Sequence, residues 1–428
     1  MRVGVVGLWH LGSVTAACVA ERFETLAFDP DSHVLDELEH GRPPISEPGL
    51  ADLWRSGLDS GRLRVVRARE DLRTCDVTWI TFDTPVDDDD VADVPYVENQ
   101  VRQVMPYLRD GSAVLVSSQM PVGSTRALAH TFAAQFPDRH VTFAYSPENL
   151  RLGKALQVFR SPDRIVLGAT DEKADAALLH LLGAFGPVER MGLESAEMTK
   201  HAINSFLALS VTFANEIAGI CEHVGADAKE VERGLKTESR IGMGAYVGPG
   251  TAFAGGTLAR DQAFLASIAD RAAQPAVLLR AIRESNDSHK HWIENRLRAR
   301  LGSLSGARVG LLGLTYKPGT DTLRRSEAVA LARLLAIAGC EVRAFDPAVK
   351  SVTDDLPVSL VASPEEVFVD ADAVVVCTPW PAFRELNPSF VDVMKEKTIV
   401  DPLRVLPHSF RGNGVWYAAV GLVTAGGA

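Results

Sequence analysis

The first 29 residues follow the order strand, glycine turn, helix, strand and acidic residue, and no other stretch constrains the fold as strongly. A short apolar run at 2–6 leads into GLWHLG, which begins at Gly7 and ends at Gly12, and a second apolar run ends at Asp29. In a dinucleotide-binding α/β unit the helix N-terminus faces the pyrophosphate and the acid takes the ribose hydroxyls. The sequence therefore predicts a Rossmann-like N-terminal domain.

The glycine turn departs from the G-x-G-x-x-G pattern at its second glycine, where Trp9 stands. We still expect the backbone amides near Leu11 and Gly12 to hold the pyrophosphate, with the indole turned aside. Asp29 favours NAD over NADP, because its carboxylate would repel a 2′-phosphate. The alternative is a Rossmann fold that no longer binds a cofactor.

Composition excludes several classes of protein. The formal net charge is −11, which argues against nucleic acid or an anionic membrane as a general partner. The five cysteines are scattered and have no Cys-x-x-Cys spacing, so neither a disulfide framework nor a metal site is expected. Neither an export signal nor an apolar run long enough to span a membrane is evident, and we expect a cytoplasmic protein.

The middle of the chain combines a long helix with a glycine-rich segment. From 194 to about 224, apolar residues recur at helical spacing on more than one face, which predicts a long buried helix. Lys200 and Asn204 are four residues apart and share one face of this helix. The segment VGPGTAFAGGTLARD at 247–261 follows, and its glycines would let the backbone approach a ligand closely. It is either a binding loop or a flexible linker.

A third domain begins near 303–307. RVGLLGLTYKPGTDTLRRS starts with a strand pattern and ends in a polar turn, and a helix and further strand patterns follow it. The fold class is therefore α/β, with a smaller Rossmann-like unit at the C-terminus. We predict an N-terminal dinucleotide-binding domain at 1–193, a central helical domain at 194–302 and a C-terminal α/β domain at 303–428.

Several motifs resemble one known family, the UDP-glucose/GDP-mannose dehydrogenases. The most specific is Lys-Pro-x-Thr-Asp-x-x-Arg-x-Ser, which begins at Lys317 and includes Arg324. The run Ser-Pro-Glu-Asn-Leu-Arg at 146–151 is similar to the family's segment beside the reacting sugar, and the 247–261 segment is similar to its catalytic loop. The resemblance covers nearly the whole chain. It implies a nucleotide sugar or related nucleoside as substrate and NAD as cofactor.

The resemblance also implies roles for particular residues. It places the Lys200 and Asn204 side chains around the reacting oxygen and a catalytic water, Glu148 as an acid or base, and Asp261 behind them. The residues that it places beside the cofactor are Gly7, Trp9, Leu11, Gly12, Asp29, Thr84 and Ser118. Those that it places beside the substrate are Leu150, Arg151, Phe253, Gly256, Arg260, Lys317 and Arg324.

Two positions depart from the family pattern. Family members oxidise a primary alcohol to a carboxylate in two NAD-dependent steps through a cysteine thiohemiacetal, and Thr257 occupies the place of that cysteine. Gln119 occupies the place of a threonine that helps to hold the active-site water. A hydroxyl is a much weaker nucleophile than a thiol at neutral pH and needs an adjacent base.

These departures favour a single hydride transfer that yields an aldehyde or ketone, or a redox-neutral epimerisation. One alternative is a full four-electron 6-dehydrogenase that works without the cysteine. Another is a non-catalytic relative that only binds nucleotide sugar. The family's central helix forms much of a dimer contact, so the resemblance also implies a homodimer.

Overall fold

The computed structural model describes most of the chain and divides it into two compact units, Met1–Ile203 and Asn204–Ala428. The residues that it describes are 1–87, 91–170, 175–254, 256–412 and 414–422.

The first unit is built on an eight-stranded sheet of order β3-β2-β1-β4-β5-β6-β7-β8. Its pairings are parallel except that of β6 with β7. The order 3-2-1-4-5-6 is that of a Rossmann fold, which confirms the predicted fold class. The strands are β1 Arg2–Val6, β2 Glu24–Phe28, β3 Leu63–Val65, β4 Val77–Ile80, β5 Ala113–Val116, β6 Thr142–Tyr145, β7 Ile165–Gly168 and β8 Val188–Met191.

Helices cover both faces of this sheet. Strands such as β4 are buried along their full length, as expected of parallel strands with a core on each side. The two cores are formed mainly by Val, Leu and Phe side chains. The helices of this unit are α1 His10–Ala20, α2 Ser32–Glu39, α3 Leu50–Asp59, α4 Val94–Val104, α5 Ser124–Gln135, α6 Ala155–Arg160 and α7 Asp175–Gly183.

The long helix α8 (Leu193–Val224) has 32 residues and begins within one residue of the predicted position. The prediction that it is buried needs correction, because Phe206 is 68%, Phe213 45% and Ile220 59% exposed. By length and composition alone the helix could cross a membrane, which contradicts the expectation that no apolar run is long enough. Half of that apolar window is buried in the structure, as in the core helices of many water-soluble proteins, so the signal is weak.

The second unit continues with the α-helices α9 to α14 and a six-stranded parallel sheet. The sheet order is β11-β10-β9-β12-β13-β14, which repeats the Rossmann order within its own strands. Its helices are α9 Ala228–Thr237, α10 Thr257–Arg271, α11 Val277–Lys290, α12 Trp292–Leu301, α13 Glu327–Ile337 and α14 Pro364–Phe368. Its strands are β9 Arg308–Leu312, β10 Glu341–Phe345, β11 Ser359–Leu360, β12 Ala373–Val376, β13 Thr398–Val400 and β14 Trp416–Ala418.

The last described residues are fixed to the helices of the second unit. The Gly421 amide donates to a Glu222 carboxylate oxygen at 2.9 Å, and the Gly421 carbonyl accepts from the Ala228 amide at 2.9 Å. Arg404 also donates to that carbonyl, and its guanidinium pairs with Asp227 at 2.7 Å. A Cβ added at Gly421 would lie 2.1 Å from the Ala228 Cβ. This position therefore requires glycine.

Candidate functional site

The glycine turn after β1 brings the start of α1 against the sheet. Gly7 has φ +94°, which favours glycine, and an added Cβ there would meet the Phe82 ring at 2.6 Å. At Gly12 an added Cβ would lie 1.7 Å from the Gly7 carbonyl oxygen. Both predicted glycines are therefore required by close backbone approach, which is the geometry that exposes helix amides to a pyrophosphate.

Asp29 lies directly after β2, beside this turn. One carboxylate oxygen accepts from the Leu8 amide at 2.6 Å and the other from the Asp31 amide at 2.9 Å. Burial raises the pKa of the Asp29 carboxyl, and the two amide hydrogen bonds oppose that shift. The carboxylate remains partly accessible, and Trp9 at the start of α1 is 49% exposed. An acid so placed can accept hydrogen bonds from a ribose.

The loops that follow β4 and β5 carry the other predicted cofactor residues. The Thr84 hydroxyl donates to the Gln119 carbonyl at 2.6 Å, so the two loops are joined. The Ser118 side chain is 1% exposed, and its hydroxyl has no hydrogen-bond partner within the residues that the structure describes. A buried polar atom of this kind commonly awaits a ligand or water. The turn, the acid and this hydroxyl together fit a dinucleotide.

Lys200 on α8 is held by the loop that follows β6. Its ammonium donates to the Glu148 carbonyl and lies 3.3 Å from a Glu148 carboxylate oxygen. The other Glu148 oxygen accepts from the Leu150 amide at 2.9 Å. Lys200 is 5% exposed, so a buried cation is paired with a partly exposed carboxylate. This pair can hold or move a proton at an oxygen atom.

Asn204, one turn further along α8, belongs to the second unit and has a different partner. Its side-chain amide donates to the Asp261 carboxylate on α10, and both residues are buried. Thr257 is the first residue of α10, is exposed, and lies one turn before Asp261. The structure thus gives each predicted polar residue of α8 a carboxylate partner from a distant part of the chain.

The residues predicted to bind substrate lie in both units. Leu150 packs against the first core, and Arg151 is exposed. Arg260 on α10 and Lys317 after β9 are both half-buried. Arg324 is exposed, and its amide donates to the Thr322 hydroxyl at 3.3 Å. Their contact with a substrate stays a prediction.

Two further residues of the second unit were not predicted. The guanidinium of Arg325, rather than that of Arg324, lies beside Gly256, since a Cβ at Gly256 would be 2.7 Å from its Nη1 atom. Arg325 has φ +59°, which is uncommon for a residue other than glycine. Asn286 on α11 is hydrogen-bonded to the main chain of Phe253. Residue spacing gave no signal for either contact, because both depend on the tertiary fold.

The turn after β9 repeats the turn after β1 but is filled by its own side chains. Asp346 follows β10 and is 3% exposed. One of its carboxylate oxygens accepts from the Leu314 amide at 2.7 Å, the Thr315 amide at 2.9 Å, the Thr315 hydroxyl at 3.0 Å and the Trp380 indole at 3.1 Å. The other accepts from the Ala348 amide at 2.9 Å. Asp346 therefore serves the fold of the second sheet.

Family models match three successive parts of the chain. Residues 1–185 match the NAD binding domain of the UDP-glucose/GDP-mannose dehydrogenase family, 194–288 its central domain and 310–408 its UDP binding domain.

Among the described residues, no group of three or more His, Cys, Asp or Glu side chains could hold a metal ion.

Individual relatives agree with these matches. UDP-glucose 6-dehydrogenase YwqF from Bacillus subtilis is 31% identical over 94% of this chain and 93% of its own length. A UDP-glucose dehydrogenase structure from Pyrobaculum islandicum aligns with a TM-score of 0.88 and 31% identity over 99% of this chain and 98% of its own. A UDP-D-ManNAc dehydrogenase structure from Pyrococcus horikoshii aligns with a TM-score of 0.87 and 27% identity, covering 98% and 99%. The chain therefore belongs to the UDP-glucose/GDP-mannose dehydrogenase family and is an NAD-dependent oxidoreductase.

Proposed function

We propose that this enzyme performs one hydride transfer on a nucleotide sugar or related nucleoside, to give an aldehyde or ketone or to complete an epimerisation. The observation that carries the proposal is Thr257, which stands in the place of the family's cysteine. Thr257 is exposed at the start of α10, and the carboxylate one turn further along, Asp261, is hydrogen-bonded to Asn204. We therefore propose that Thr257 has no dedicated base. A threonine without a base is a poor nucleophile for covalent capture of an aldehyde.

The residues that we propose for the first oxidation are Lys200, Glu148, Asn204 and Asp261. Bound NAD supplies the hydride acceptor. We propose that Lys200 stabilises the oxygen of the alcohol as it loses its proton and that Glu148, paired with Lys200, receives that proton. Asp261 accepts from the Asn204 amide and so fixes its orientation, which leaves the Asn204 carbonyl oxygen to receive a hydrogen bond from substrate or water.

A second candidate is the full four-electron oxidation to a carboxylate. It is favoured by the relatives, since the Bacillus subtilis protein is named a UDP-glucose 6-dehydrogenase and matches this chain over nearly its full length. In this case the aldehyde would be oxidised as its hydrate rather than as a thiohemiacetal. The two candidates differ in the number of NADH molecules formed.

Stoichiometry tests the proposal. UDP-glucose, UDP-N-acetylmannosamine and GDP-mannose are each incubated with NAD, and NADH formed per molecule consumed is measured while products are identified by mass. We expect at most one NADH and no carboxylate. Two NADH and a carboxylate from the unaltered protein would establish the four-electron candidate instead.

Variants separate the chemistry from binding. Lys200→Met should abolish turnover and leave nucleotide affinity nearly unchanged, because the charge acts at the reacting oxygen. Thr257→Cys alone should not restore acid formation, since Gln119 occupies the water-positioning place. The double variant with Gln119→Thr is the matched test, and acid formation by it alone would show that both positions limit the second oxidation.

Other parts of the proposal concern ligand, assembly and location. We propose that the nucleotide's phosphates bind between the central loop and the C-terminal domain, with Arg324 or Arg260 as the contact, because guanidinium groups suit phosphate oxygens. The domain limits 1–193, 194–302 and 303–428 and the cytoplasmic location stay predictions. We also propose a homodimer. It is supported by Phe206, Phe213 and Ile220, which are exposed on α8 at intervals of seven residues.

A further inference from the structure

We propose that Asn286 on α11 is a positioning residue that holds the glycine-rich segment in one conformation, so that the segment is a preorganised binding surface and not a flexible lid. The inference concerns residues 247–254, called here the glycine-rich segment. The expected effect on substrate binding rests on the proposed function. The expected effect on the conformation of the segment does not.

The contact between Asn286 and Phe253 is two-sided. The Asn286 side-chain oxygen accepts from the Phe253 amide at 2.9 Å, and the side-chain nitrogen donates to the Phe253 carbonyl at 3.0 Å. Asn286 is 3% exposed, although asparagine on a helix usually faces solvent. A side chain that bonds both polar groups of one residue fixes the orientation of that residue's backbone.

A second asparagine and a histidine hold the beginning of the segment. Asn215 on α8 accepts from the Gly250 amide at 2.9 Å and donates to the Thr251 carbonyl at 3.3 Å. The His289 ring lies 2.8 Å from the Gly250 carbonyl. Neither helix nor strand covers residues 247–254, so their backbone groups have no secondary-structure ladder. Buried backbone groups must be paired, and here side chains from α8 and α11 pair them.

The segment is also in close contact with the loop that follows β13. A Cβ added at Gly250 would lie 2.5 Å from a Leu403 methyl carbon, so the backbone approaches that side chain directly. The segment is therefore held both by helix side chains and by an apolar contact. Such a segment would lose little conformational entropy when a ligand binds, which favours affinity.

The position of Asn286 relates this contact to the site. Phe253 precedes Thr257 by four residues, and Asp261 follows one helical turn after Thr257. Release of the Phe253 backbone would loosen the chain that leads into α10. The predicted NAD-binding residues belong to the first unit, so loss of Asn286 should weaken sugar-nucleotide binding and leave NAD binding unchanged.

Hydrogen exchange tests the conformational part. Deuterium uptake by peptides that cover the segment is compared in the wild type, Asn286→Ala, Asn286→Asp and the control Asn295→Ala, in which an exposed asparagine of α12 is removed. We expect exchange in Asn286→Ala to be about tenfold faster or more, because the partly buried Phe253 amide loses its acceptor. Asn286→Asp keeps an acceptor for the Phe253 amide and should be intermediate. Unchanged exchange in Asn286→Ala at an unchanged Tm would overturn the proposal.

Binding tests the substrate part. Titration calorimetry with UDP-glucose and, separately, NAD is made on the same four proteins. We expect about tenfold weaker UDP-glucose binding in Asn286→Ala, with Asn286→Asp between it and the wild type. Equal losses for NAD and UDP-glucose would mean general damage and contradict a positioning role. If the wild type binds NAD but not UDP, UDP-glucose or GDP-mannose, the proposed substrate class is wrong, and the exchange result still decides whether Asn286 holds the segment.

Discussion

The two Rossmann-like sheets of this enzyme use the same turn for different purposes. RVGVVGL at 2–8 corresponds to RVGLLGL at 308–314, and each sheet later reads Ala-Phe-Asp-Pro. In both turns the glycine has φ +94°, and a serine hydroxyl donates at 2.6 Å to the carbonyl of the following leucine.

The difference lies in the acid at the end of the second strand. Asp29 accepts hydrogen bonds from two backbone amides and remains partly accessible. Asp346 is buried, and one of its carboxylate oxygens accepts hydrogen bonds from four donors of its own domain. The same fold and nearly the same sequence thus give one turn that can receive a ribose and one that is closed. We therefore expect cofactor binding to depend on the side chains around the acid and not on the motif alone.

The largest expected effect is on folding, from Asp346→Ala. Four donors on one oxygen would lose their acceptor in a buried site, so we expect the free energy of unfolding to fall by roughly 3 kcal/mol or more. Chemical denaturation followed by tryptophan fluorescence measures this change. Asp29→Ala is the matched control, and an equal loss of stability in both variants would break the distinction between the two turns.

An intermediate effect is expected on NAD affinity, from Asp29→Ala. Loss of a charge-assisted hydrogen bond to the ribose should weaken binding by about 1.5–3 kcal/mol. Titration calorimetry with NAD measures this value, and UDP titrated into the same sample provides the internal control. An NAD affinity equal to that of the wild type would show that the acid does not hold the ribose.

The smallest and most gradual effect is that of pH on NAD affinity, through ionisation of Asp29. Burial raises the pKa of Asp29 above 3.8, and the ionised carboxylate is the better acceptor for ribose hydroxyls. As the pH is lowered, NAD affinity should therefore begin to fall at a higher pH than it would with an ordinary aspartate. For folding the sign is opposite, because a raised carboxyl pKa contributes stability at low pH that is lost as pH rises. NAD titrations over a pH series, with Asp29→Asn as the control that cannot ionise, would reveal the effect. Parallel profiles in the two proteins would contradict it.

Much of the fold could be predicted, because long buried strands and helices have strong hydrophobic patterns. Several strands were not predicted, and three of them show physical reasons. β8 is an edge strand with Glu189 and Arg190 exposed, so its apolar pattern is weak. β11 and β14 have only two and three residues. The two glycine turns are similar in sequence, but that similarity does not reveal which of them is closed by its own side chains.

The candidate site was predictable only in part. The spacing of Lys200 and Asn204 correctly placed both on one helix, but it could not reveal that Glu148 and Asp261 would pair with them across 52 and 57 residues of sequence. Asn286 gave no signal at all. An asparagine on a helix is usually solvated, and only the tertiary fold shows that this one is bonded to Phe253.

The anchoring of Gly421 has a practical consequence for protein engineering. A chain shortened to end before Val420 would lose Gly421, whose carbonyl accepts from the Ala228 amide and whose amide donates to Glu222. It would also expose the apolar surface of Ala218 and Cys221 that Val420 covers. An affinity tag fused directly after Gly421 would place bulky residues beside this tight packing. Purification tags are therefore better joined away from Gly421.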